Sequence, residues 1–364
     1  MTKPLRQDED GKKPPAAGAG RKRSFRQMAG TALYDWPRYF RCLVSPGGWR
    51  GMRNRQDVLI RSPEGAALQC AWEDTRPLHL CETFPRTGRH LLRTALRQCP
   101  IRFADASGTV APLAGNVDVS FIIGHRGMER LPHLLLTLRT LAAQQHVRVE
   151  CIVVEQDVGP VVRDHLPAWV RYLHLPSAGA DRMFSRASAF NAGAAVAGGK
   201  LLVLHDNDLL VSSGYAAEAA RLAAAGYEVV NHKRFIFYLS EQATAACVAG
   251  GENPPRVDDM VPERVLENAT GGGSLAIARE AFDAIGGMDE SFVGWGGEDV
   301  EFWQRARTRR VWNFGYLPLV HLWHSAQAGK YPAKQTPGME RLRQLSAIPP
   351  EQRIKALRSI GGGA

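Results

Sequence analysis

An α/β fold, built on a mainly parallel sheet flanked by helices and preceded by a small N-terminal accessory region, is what this sequence predicts. From Val117 onward, apolar strand-like runs alternate with segments of helical spacing. Several of those runs end abruptly in acidic or amide clusters, as strands of a parallel sheet do where they meet a ligand cleft. No run of about 18 apolar residues occurs, so no transmembrane helix is expected.

The elements follow in order. VDVSFIIGH reads as a buried strand, LPHLLLTLRTLAAQQ as a helix and VRVECIVVEQD as the next strand. VRYLHLP adds a strand, SRASAFNAGAAVA a helix and KLLVLHDND a strand; SSGYAAEAARLAAAG and YEVVNHKR complete the alternation. Right-handed crossovers between parallel strands are the expected connections. The division expected is a disordered basic arm over 1–28, an accessory region over 29–115, the α/β domain over 116–328 and a basic tail over 329–364.

The chain has 364 residues, 45% hydrophobic composition and a formal charge of +10, enough for a sizeable core. The charge is uneven. Residues 1–60 hold 13 Lys/Arg against 5 Asp/Glu and residues 329–364 hold 7 against 2, so the middle, with 26 against 29, is slightly acidic. That distribution argues against a nucleic-acid track. Interleaved aromatic residues and arginines in TALYDWPRYFRCLVSPGGWRGMR suggest contact with an anionic membrane surface or a polyanionic acceptor. With no signal-peptide pattern, a cytoplasmic protein is expected, peripheral at the inner face of the membrane. Six cysteines without a CxxC pair fit reduced thiols; Cys70, Cys81, His79 and His90 match no common zinc spacing.

Three stretches carry chemistry. In LLVLHDND an apolar strand runs into Asp206 and Asp208, which alternate on extended chain and offer hard oxygen ligands for Mg²⁺ or Mn²⁺ held with a diphosphate. An Asx turn capping the next segment would use the same residues. In LPLVHLWHSA, His321 and His324 follow an apolar run and could add an imidazole to a transition-metal site. In FVGWGGEDVEFW, three glycines and Trp295 precede Glu298 and Asp299, which open a helix; acids there also complement the helix dipole.

HDNDLL, FSRASAFNAG (184–193), GGGSLAI (271–277), GWGGEDVEFWQR (294–305) and HLWHS together resemble GT-A glycosyltransferases, whose fold is Rossmann-like. The resemblance extends to the β-1,4-galactosyltransferase group and to family 2 enzymes such as chondroitin-type synthases. It implies an inverting, metal-dependent transfer of a sugar from a nucleotide sugar, a UDP-sugar, to a saccharide hydroxyl. It assigns Asp208 as principal metal ligand, Asp206 as its support and His324 as the completing imidazole, with His321 as alternative; the ion would be Mn²⁺ or Mg²⁺. Asp299 becomes the base, and Glu298 an acceptor-binding partner, with Trp295, Gly296 and Gly297 beside the acceptor. Arg126, Arg182 and Arg186 fall near the nucleotide or its diphosphate, Asp206 near the donor, and Glu155 and Gln156 near the nucleobase. GHRG replaces the family's Pro-Phe-Arg segment, and Ala269 and Thr270 stand where bulky aromatics flank the donor sugar, which implies a roomier pocket. Two other classes fit parts of the sequence: a non-catalytic glycan or polyanion binder, and a nucleotidyltransferase.

Overall fold

The computed structural model describes residues 24–63, 65, 67–70, 75–105, 116–177, 183–251, 253–267, 272–325 and 336–361. The N-terminal part comprises α1 (Phe25–Val44), β1 (Leu59–Arg61), β2 (Leu68–Cys70), β3 (Arg76–Pro77), α2 (His79–Thr83) and α3 (Pro85–Gln98). Then come β4 (Val119–His125), α4 (Leu131–Ala142), β5 (Val149–Glu155), β6 (Arg171–His174), α5 (Arg186–Val196), β7 (Leu201–His205), β8 (Leu209–Val211) and α6 (Tyr215–Ala224). They are followed by β9 (Val229–Val230), β10 (Lys233–Leu239), α7 (Glu241–Ala249), β11 (Pro262–Glu267), β12 (Ser274–Ala278) and α8 (Arg279–Ala284). The last elements are α9 (Glu298–Ala306), β13 (Val311–Trp312), β14 (Leu317–His321), α10 (Pro337–Ser346) and α11 (Pro350–Gly361).

The fold is α/β with a mainly parallel sheet flanked by helices. Seven strands lie in the order β13-β9-β12-β7-β4-β5-β6. β4 pairs in parallel with both β5 and β7, and β5 with β6, while β12 inserts antiparallel beside β7. The central strand VSFIIGH alternates its side chains between two cores: Phe121 and Ile123 enter one cluster and Ile122 the other. Each such buried apolar side chain contributes about 1.5–3 kcal/mol. On the second face, α5 lies close because Gly193 has no side chain; a Cβ there would sit 2.3 Å from the Ile122 Cγ2.

Four expectations differ in detail from the structure. The arm expected over 1–28 lies outside the described residues only as far as residue 23; Ser24 caps α1, which is helical from Phe25. The accessory region is not separate, because β3 joins a second, five-stranded sheet in the order β3-β11-β10-β14-β8 and Trp49 packs on Phe235 with centroids 6.1 Å apart. The basic tail contains two helices, and the fully buried Arg305 of α9 and Arg353 of α11 both pair with Glu301. YEVVNHKR is likewise not one strand: β9 and β10 serve different sheets, broken at Asn231 and His232.

Candidate active site

The carboxyl ends of β4, β5 and β7 and the glycine turn before α9 meet at one edge. β7 delivers the acidic turn as its hydrophobic run ends at His205, and Asp206 donates its backbone N–H to the Gly273 carbonyl. The turn is pinned by His125, whose Nε2 donates to the Gly127 carbonyl at 2.8 Å and whose Nδ1 accepts from Asn207 at 2.9 Å. Burial pushes the His125 pKa down to about 4, which keeps the ring neutral and fit for both roles.

The two acids of the turn take different partners. Asp208 lies 3.6 Å from the His321 Nε2, 3.3 Å from the His324 Nε2 and 3.5 Å from Arg130. Burial opposes ionisation of Asp208, but the two imidazoles and Arg130 outweigh it and its pKa is lowered. Its Oδ1 is buried without a hydrogen-bond partner among the described residues. Among the described residues, Asp208, His321 and His324 form a group whose ligand atoms all lie within 4.8 Å of one another. Asp206 stands outside it. Its Oδ1 is held by Arg186 at 2.5 Å, and burial raises its pKa against the pull of that guanidinium.

The imidazoles are oriented by the backbone. Nδ1 of His321 donates to the Leu322 carbonyl at 2.6 Å, leaving the Nε2 lone pair toward Asp208. Tyr238 stacks on this ring with centroids 4.4 Å apart. For His324, Nδ1 lies 2.7 Å from the Ser325 carbonyl and 3.0 Å from Arg130. A carbonyl only accepts and a guanidinium only donates, so the ring serves one of them at a time, and the shorter contact to the carbonyl frees Nε2 for Asp208. Desolvation lowers the His324 pKa, which favours the neutral, ligating form.

The glycine turn supplies the other carboxylates. Gly294, Gly296 and Gly297 have φ of 80°, 104° and 95°, a region that side chains resist, so the spacing of Trp295 between them is set by backbone geometry. Gly297 ends the turn as the cap of α9, placing Glu298 and Asp299 in its first turn. Arg186, at the start of α5, reaches Glu298 at 3.6 Å as well as Asp206, and so bridges the two acidic segments. Burial and the neighbouring Asp299 push the Glu298 pKa up to about 7, and its Oε2 has no hydrogen-bond partner among the described residues. Asp299 lies against the backbone of the second glycine segment; a Cβ on Gly272 would be 2.7 Å from its Oδ2. Beneath them Lys233, wholly buried and donating to Asn231 and the Ser274 carbonyl, has its pKa pushed down to about 7 by desolvation.

The remaining residues divide. Gln156 lines a cleft of about 560 Å³ shared with Ser177, Met183, Ser185, Asn191 and Val293, next to the acids but not containing them. Gln156 also accepts from the Ser185 N–H at 2.6 Å. Glu155, expected near the nucleobase, is fully buried, and its oxygens accept from the Val161 and Val162 N–H groups and the Tyr172 hydroxyl. Arg126 is half-buried in the loop after β4, Trp295 is half-buried in the glycine turn, and Arg182, Ala269 and Thr270 lie outside the described residues. Arg130, His125 and Lys233 were missed, and Gly272 was singled out only as part of the GGGSLAI motif. Arg130 shares the GHRGMER segment with Arg126, so the segment was legible but not which arginine reaches the acid.

Residues 262–316 match the family model described as the N-terminal domain of galactosyltransferase. No curated protein sequence matches the chain. Among solved structures, the catalytic domain of Drosophila β1,4-galactosyltransferase 7 in complex with xylobiose aligns at 18% identity over 59% of this chain and 68% of that one, with a TM-score of 0.29, too slight to carry an argument. The matched stretch runs from β11 through the glycine turn and α9 to the start of β14, so the part of the chain similar to galactosyltransferases is the part that holds Glu298 and Asp299, and this supports a glycosyltransferase.

Proposed function

We propose that the protein is an inverting, metal-dependent glycosyltransferase of GT-A type that moves a sugar from a UDP-sugar to a saccharide hydroxyl. The observation that carries this reading is the Arg186 bridge, which joins the turn of Asp206 and Asp208 to the Glu298/Asp299 pair. Desolvated, charge-coupled acids gathered at one edge are more characteristic of a catalytic site than of a binding surface.

The donor set suits a divalent transition metal: one buried carboxylate with an orphaned oxygen and two imidazoles whose Nε2 atoms are oriented toward it. Two nitrogens favour Mn²⁺ over Mg²⁺, which prefers oxygen alone. When bound, the ion would neutralise the charge that develops on the departing diphosphate. Arg186 and Arg130 supply fixed positive charge at the same edge. Asp299 takes the proton of the acceptor hydroxyl as its oxygen attacks the anomeric carbon. The bond from that carbon to the diphosphate oxygen breaks and the nucleoside diphosphate leaves, with inversion. Glu298 holds a neighbouring acceptor hydroxyl and Trp295 offers its face to the acceptor ring. The cleft at Gln156 and Ser177, whose buried Oγ has no partner among the described residues, takes the nucleoside.

The test is a panel of UDP-sugars with and without Mn²⁺, read as UDP release, then repeated with saccharide acceptors. Metal-dependent release that rises with an acceptor is expected, and Asp208→Ala should lose the metal dependence of UDP binding. Glycan binding without release would make the chain a binder, and release of pyrophosphate from a nucleoside triphosphate would make it a nucleotidyltransferase.

A further inference from the structure

Helix α1 has two faces with different fates. Asp35, Tyr39 and Cys42 turn inward, and Tyr39 and Cys42 join the main core. Phe25, Ala29, Ala32, Leu33, Trp36, Phe40, Leu43 and Val44 recur at intervals of three, four and seven, which places them on a single stripe. Among the described residues most of the stripe is left uncovered: Phe25 is 87% exposed, Leu33 71%, Phe40 52% and Trp36 48%, while Ala32 is half-buried. Scattered exposed apolar residues need no explanation, but a row of this length with two aromatic rings at its centre marks a contact surface.

Charge decides the partner. Arg26 and Arg41 are exposed beside the stripe. In sequence, the 23 residues ahead of the helix carry seven Lys/Arg against three Asp/Glu, and Arg21, Lys22 and Arg23 adjoin its first turn. A second copy docking stripe to stripe would set these cations against one another, whereas an anionic lipid surface complements them. Among the described residues, no helix is long and apolar enough to cross a membrane. An amphipathic helix with aromatic and leucine residues on one face and arginines at its edges instead lies in the interface.

We propose that α1 docks this protein on an anionic lipid bilayer, with Phe25, Leu33, Trp36, Phe40 and Leu43 entering the headgroup boundary. The proposal stands apart from the transfer chemistry, because none of these residues belongs to the site.

The experiment is co-sedimentation of the full chain with phosphatidylcholine vesicles, with and without phosphatidylglycerol, over a range of salt. Binding to the anionic vesicles that weakens as salt rises is expected. The Trp36→Glu/Phe40→Glu variant should lower the partition coefficient by about tenfold or more, since two buried rings and their apolar area are lost, with an unchanged melting temperature and unchanged UDP release. No binding to anionic vesicles at low salt would overturn the proposal. So would equal binding to neutral vesicles, undiminished binding of the variant, or a wild-type dimer in solution that the variant converts to monomer.

Discussion

At the scale of single residues, the site sets two acids side by side in unlike surroundings. Asp299 rests against the Gly272 backbone, while Glu298 is held between Arg186 and a desolvated wall. Converting Asp299 to Asn preserves shape and removes the proton acceptor, so transfer should fall by about 10²–10⁴-fold while UDP-sugar binding persists; a variant that turns over normally would remove Asp299 from the base role. Glu298 makes a second prediction through linkage. Its pKa is raised from 4.5 to about 7 in the folded state. The folded chain therefore holds this proton where the unfolded chain has lost it. That contribution is complete below pH 4.5 and disappears as pH rises toward 7. Glu298→Gln mimics the protonated form at all pH values. Its melting temperature should gain on the wild type between pH 5 and 7.5, by several degrees, and a constant gap across that window would show that Glu298 is not perturbed.

At the scale of elements, the glycine turn and α10 form one unit. Gly338, in the first turn of α10, lies so near the turn that a Cβ there would be 2.0 Å from the Gly296 carbonyl oxygen. A Cβ on Gly297 would meet the Gly338 carbonyl at 2.7 Å, so neither backbone can retreat without moving the other. Gly338→Ala should therefore cost about 1–3 kcal/mol of stability and shift Trp295 and Glu298, raising the KM for the acceptor more than that for the donor. A thermal melt with acceptor and donor titrations checks this, and equal changes in both KM values would argue against a turn dedicated to acceptor. The glycines, aromatic and acids of this segment were legible because each residue type has a narrow use. The role of α10 was not, since its sequence, PGMERLRQLS, falls in the stretch read only as a basic tail and its glycine gives no sign of what it touches. The same limit separates Gln156 from Glu155: an apolar strand ending in polar residues looks alike whether they face a cleft or, like Glu155, close a buried network with Tyr172.

At the scale of the whole molecule, what could be read from sequence was the part built by local alternation. β4, α4, β5, β6, α5 and β7 are consecutive in sequence and their strands are neighbours in one sheet, in the order β7-β4-β5-β6, so periodicity alone predicted the parallel sheet and the acids at its edge. The five-stranded sheet was invisible because β3, β10, β11, β14 and β8 come from distant parts of the chain and no local pattern specifies their pairing. That sheet also decides whether the N-terminal region is an accessory. Arg234 of β10 is buried and paired with Glu267 at 2.6 Å, and it donates to the carbonyls of Arg50 at 2.7 Å and Met52 at 2.8 Å. Leu78, Leu80, Leu91 and Leu92 are buried in the same core as β10 and β14. Removing residues 1–105 would strip two acceptors from a buried guanidinium and expose the apolar face of the second sheet. At about 1.5–3 kcal/mol for each of the four leucines, the loss is comparable with the 5–15 kcal/mol that holds a domain folded. The fragment 116–361 should therefore be insoluble or melt without a cooperative transition, while the full chain should melt with the two parts unfolding together, as followed by calorimetry. A soluble fragment with a sharp melt would instead make the first hundred residues a true appendage, and would free the site at the edge of β4 and β7 from any dependence on them.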